Sequence, residues 1–73
     1  MLQTTVESSN IERVGWNCET LFIGFKNGSS YSYADVPLDT YNQLVEAPSV
    51  GKEFHASIRP NFTAERLSSS PFV

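Results

Sequence analysis

The 73-residue chain is poor in the groups that carry most enzyme chemistry, having one cysteine, Cys18, and one histidine, His55. A lone cysteine excludes an intramolecular disulfide and any cysteine-based metal site. One histidine among separated carboxylates makes no zinc or calcium cluster, so neither metal nor cofactor is expected. Basic residues are also few: five Lys and Arg against eight Asp and Glu leave a net charge of −3. They are scattered along the chain, which disfavours general electrostatic attachment to nucleic acid. No stretch approaches the roughly 20 apolar residues of a membrane span. The start, MLQTTVESSN, lacks the basic and apolar regions of a secretion signal, so a cytoplasmic location without a membrane partner is expected.

Two further catalytic readings fail on the residues themselves. Cys18 and His55 could form a nucleophile–base pair only by meeting in space, and neither lies in a recognisable local motif. Val50-Gly51-Lys52 resembles the end of a phosphate loop, but that motif needs a glycine where Glu46 stands and a hydroxyl where Glu53 stands. The chain reads as a non-enzyme. A domain of this length buries about 60% of its unfolded surface. Leu21, Ile23, Phe25, Leu44, Phe54 and Ile58 suffice for one small core with no large internal cavity.

What is present is a clear strand pattern. TLFIGFK alternates, with Leu21, Ile23 and Phe25 on one face and Phe22, Gly24 and Lys26 on the other. NIERVGWN before it sends Val14 and Trp16 to one side, and SSYSYADV after it returns from Asn27-Gly28 and stops at Pro37. Thr4 to Glu7 offers a short extra edge strand. PLDTYNQLVEA then carries Leu38, Tyr41, Leu44 and Val45 at helical spacing, with Asp39 near its start. Pro48 stops it, Ser49 can cap a second helix over VGKEFHASIR, and Pro60 ends that one. TAERL reads as a short third helical turn and SSSPFV as a loose tail. The expectation is a single α+β domain over residues 1–73, its core at about 6–62 and residues 63–73 loosely ordered. It is a three-stranded antiparallel meander, with the extra edge strand, followed by two short helices.

Two features could bind a ligand. In a helical second segment, Lys52, His55 and Arg59 form one stripe opposite Phe54 and Ile58, able to hold a phosphate or a carboxylate. An ordinary solvated helix face is the commoner meaning of such a stripe. The second feature, the pair Tyr31 and Tyr33, depends on hairpin register. A two-residue turn at Asn27-Gly28 sets Lys26 against Ser29 and puts both tyrosines on the face of Gly24, a flat place for a ring to stack. A three-residue turn that includes Ser29 sets Phe25 against Tyr31 and puts them in the core. The Asn-Gly preference favours the two-residue turn and the shortage of core material favours the other, so the tyrosines' binding role is a hypothesis that register decides.

With these residues in place, the chain resembles the KTSC domain family, a short module found at the C-terminus of some lysyl-tRNA synthetases and freestanding in bacteria and phages. The resemblance rests on VESSNIERVGW, on LFIGFKNGSSYSYADVP with its Tyr31-x-Tyr33, and on APSVGKEFHASIR. Trp16 and Phe62 stand where tyrosines are expected, and Pro48 is inserted before Ser49. The synthetase context implies RNA as a ligand. Together these readings give a non-catalytic module for RNA or a nucleotide, monomeric or a small homo-oligomer. Tyr31, Tyr33 and Trp16 would stack on it while Lys52, His55 and Arg59 hold phosphate. The alternative is an accessory protein of a phage or mobile element that inhibits or recruits a host protein, or sequesters a small signalling molecule.

Overall fold

A computed structural model describes residues 1–72. It contains one five-stranded antiparallel sheet whose spatial order follows the chain, β1 to β5. The strands are β1 (Leu2–Thr5), β2 (Ile11–Asn17), β3 (Thr20–Phe25), β4 (Ser30–Tyr33) and β5 (Ala64–Leu67). Between β4 and β5 the chain makes helix α1 (Leu38–Glu46) and helix α2 (Val50–Glu53), the latter running directly into a π-helical turn at Phe54–Ile58. The α+β class, the central meander and the first helix agree with the sequence reading; the edge strand forms two residues earlier than expected, at Leu2–Thr5, and the second helix gives way to the π turn after Glu53. The fifth strand does not agree, because TAERL pairs with the open edge of β4 instead of coiling into a helix.

Both faces of the sheet are covered, for different reasons. One face carries Val14, Leu21, Ile23 and Tyr33, all buried, beneath Tyr41 and Leu44 of α1 and Val50, Phe54 and Ile58 of the second helix. At about 1.5–3 kcal/mol for each fully buried large side chain, this layer is the main source of stability. Asp39 sits in the first turn of α1, whose Pro37 N-cap makes no side-chain cap bond, and Tyr41 reaches across to share a 2.8 Å hydrogen bond with Thr4 Oγ1. Ser49 caps α2 by accepting from the Lys52 N–H at 3.4 Å. In the π turn the Arg59 N–H bonds back to the Phe54 carbonyl at 3.1 Å. Pro60, without an N–H, cannot extend the ladder.

Among the described residues the opposite face carries no helix, and Phe72 lies over it. A Cβ added to Gly24 would stand 2.8 Å from the Phe72 ring, and one added to Gly15 would stand 3.0 Å from it. The Arg13 guanidinium lies 5.5 Å from the centre of the same ring. Of residues 63–73, expected as a loose tail, Ala64–Leu67 form a strand and Phe72 covers two bare backbone positions, while residue 73 lies outside the described residues. The flat place beside Gly24 is real, but Phe72 occupies it.

Neither turn foreseen for the β3–β4 hairpin is the one formed. Phe25 stands opposite Ser29, its N–H donating to the Ser29 carbonyl at 2.8 Å, while the Gly28 N–H returns to the Phe25 carbonyl at 3.0 Å. The loop is therefore Lys26-Asn27-Gly28, with Gly28 at a φ of 93°. This matches a type I turn closed by a glycine bulge. Ile23 then pairs with Tyr31, and Leu21 with Tyr33. Both tyrosines share the core face, as the packing argument favoured. The two-residue turn occurs at β2–β3 instead, where Cys18 and Glu19 have φ of 49° and 60°. Positive φ at both loop positions is the mark of type I′, adopted here by two residues that rarely enter it.

Candidate binding groove

Two short helices do not cover five strands. They bury Tyr33 but leave Phe25 and Tyr31 half-buried and Ala64 exposed, and there the sheet floor meets the wall of the second helix. The result is a groove of about 700 Å³. Its floor holds Phe25, Tyr31, Tyr33 and Ala64; its wall holds Phe54, His55 and Arg59; and Lys26 and Asn27 of the hairpin loop close one end.

The aromatic groups are interlocked edge to face, the arrangement that ring quadrupoles favour. Phe25 meets Tyr31 at 5.7 Å and Phe54 at 5.9 Å between ring centres, and Phe54 meets Tyr33 at 5.7 Å. Tyr33 is 4% exposed and is chiefly a core ring. Tyr31 is half-buried, so part of its ring remains open to the groove. His55 packs on Phe54 with ring centres 5.4 Å apart. Arg59 Nη1 lies 3.1 Å from His55 Nδ1. A guanidinium can only donate, so in this hydrogen bond Nδ1 accepts and Nε2 is left as the ring's donor.

Burial pushes the Tyr33 phenol above its ordinary value of 10.0, the Arg59 guanidinium pulls it back, and Tyr31 adds to the rise. Because the folded chain holds this proton more tightly, the contribution to stability is complete below pH 10 and is lost as pH climbs through the folded value. Urea midpoints taken between about pH 8 and about pH 11 should therefore fall for the natural chain, and fall less for Tyr33→Phe. Equal slopes for the two chains would contradict this.

The groove unites Tyr31, Tyr33, His55 and Arg59, which the sequence left as two separate features. Lys52 lies beside it, in a second hollow of about 430 Å³ that also contains Ser8, Gly51 and His55. Trp16 is the residue that does not join. Its indole N–H donates to the Val36 carbonyl at 2.7 Å and its ring packs on the core, a bond that ties the β2 strand to the segment entering α1. Sequence reasoning missed Lys26, hidden in the hairpin loop, and Ala64 with its strand. Arg66 stands opposite Tyr31 in the register and so shares the groove-side face of β5.

The charges are one-sided. Among the described residues lining the groove there is no Asp or Glu, although the chain has eight, while Lys26, His55 and Arg59 are all there. Cys18 is exposed at the tip of the β2–β3 hairpin and does not line the groove. No group of three or more potential metal ligands occurs among the described residues. None of their helices is long and apolar enough to cross a membrane.

Comparison with known proteins points in one direction. The profile of the KTSC domain matches residues 7–62. A lysine–tRNA ligase of a Nostoc species is 44% identical over 50 residues, covering 68% of this chain and 9% of the ligase. The chain thus spans about a tenth of the length of such relatives. A protein of Tsukamurella paurometabola is 34% identical over 64 residues, covering 85% of this chain and 96% of that protein. The crystal structure of a KTSC domain protein from Yersinia pestis superposes with a TM-score of 0.80 at 28% identity, covering 89% of this chain and 94% of the other.

Proposed function

Since the chain belongs to the KTSC domain family, we propose that it is a non-catalytic binding module for single-stranded RNA or nucleotides, working in the cytoplasm. The observation that carries this reading is a groove free of acidic residues, with two cations and a histidine over an aromatic floor, on a chain of net charge −3. Such a place attracts a group that is both anionic and ring-bearing. Phosphate would lie against Arg59 and Lys26, with the His55 N–H as a further donor. A base would stack on the open part of Tyr31, while Tyr33 and Phe54 hold the platform rigid from below. The relatives named as lysine–tRNA ligases support an RNA ligand, since a segment like this chain forms part of them. The reading has no role for Trp16, whose indole is committed to Val36.

The test is a titration of a fluorescent oligouridylate by anisotropy across a salt series. Affinity should fall as salt rises, and Arg59→Ala should weaken binding and flatten the salt slope by about one unit. Tyr31→Ala should cost about 1–3 kcal/mol with the fold intact. A chain that ignores the oligonucleotide at low salt, or binds it equally after Arg59→Ala, would refute the proposal. In that case, nuclease-resistant recovery of a stoichiometric host protein from lysate would point to the protein-interaction alternative.

A further inference from the structure

We infer that the site takes a run of strand spanning two or more phosphates, in preference to a free mononucleotide; this rests on the binding reading above. The two hollows are parts of one trough. They share Ser9, Asn10, Phe25, Phe54 and His55, and the trough passes between the β1–β2 loop and the second helix. Lys52 stands in one part, Arg59 in the other, and His55 in both. From Lys52 to Arg59 the helix advances by about 10 Å. That distance exceeds a single phosphate group, so the two cations would meet different phosphates of one strand.

The edge of the Lys52 part depends on a glycine. A Cβ on Gly51 would stand 3.1 Å from Ser8 Oγ, so the helix lies against the loop only because residue 51 has no side chain. Glu7 is the one acidic residue lining either hollow, and it lies at the Lys52 part. That carboxylate weakens the pull of Lys52 on phosphate without cancelling it, so the Arg59 side is the stronger phosphate seat and the Lys52 side the weaker one.

Competition against a labelled uridine hexanucleotide tests this. Uridine monophosphate, the dinucleotide and the tetranucleotide are added unlabelled at low salt. The tetranucleotide should compete about tenfold better than the monophosphate, because it neutralises cations in both parts. Lys52→Ala should weaken the tetranucleotide several-fold more than the monophosphate. Equal competition by monophosphate and tetranucleotide would overturn the extended-strand inference while leaving the binding reading intact. Failure of the hexanucleotide itself to bind would overturn both.

Discussion

Replacing Phe54 by alanine should cost about 3–5 kcal/mol, against a total of about 4–11 kcal/mol for a chain of this size. The residue is 2% exposed and meets Phe25, Tyr33 and His55 edge to face. Its loss therefore removes buried area and leaves a void under the wall of the groove. Urea unfolding followed by far-ultraviolet circular dichroism would show the midpoint fall sharply. Phe54→Leu keeps most of the volume and should cost less than about 1.5 kcal/mol. An unchanged midpoint in the alanine variant would mean that the second helix does not bear on the sheet as described.

The second large effect falls on Trp16, and it separates structure from binding. Trp16→Ala should destabilise the chain by about 3 kcal/mol, the low end for a large aromatic, because its ring is half-buried. Trp16→Phe keeps a ring but leaves the Val36 carbonyl without its 2.7 Å donor. Its expected cost is about 1–3 kcal/mol, the penalty for an unsatisfied buried acceptor. Oligonucleotide affinity of the phenylalanine variant should equal that of the natural chain. A loss of affinity in a folded Trp16→Phe variant would restore Trp16 to the binding residues. As the sole tryptophan, Trp16 also gives a fluorescence signal for unfolding of the natural chain.

What could be read from the sequence was what local chemistry decides. The alternation in TLFIGF and the periodicity of Tyr41 and Leu44 give elements that the structure contains at nearly those bounds. Register was harder, because Asn27-Gly28 satisfies more than one turn. The fold uses only the glycine's positive φ, and Lys26 joins the loop. Ala64 to Leu67 was illegible for a different reason. Alanine, glutamate, arginine and leucine all favour helix, but the unpaired backbone of β4 offers more than propensity can. The same long-range pairing places Ala64 in the groove, so no local signal could have found it. Tyr31 and Arg59 were visible as separate candidates. Their convergence required knowing that the second helix borders the groove floor formed by Phe25, Tyr31 and Ala64.

The order of strands has a kinetic meaning. Four strands in chain sequence meet through short connections, so each pairing closes only a small loop. The pairing of β4 with β5 instead brings together residues roughly thirty positions apart, with both helices between them. Closing that longer loop costs about 2 kcal/mol more in chain entropy than closing a three-residue turn. The step is therefore late in assembly and early in fraying, and it is the one that lays Ala64 beside Tyr33. A chain with its central meander and helices already formed would still lack one side of the groove. Occupancy of the site would then report on the last stitch of the fold.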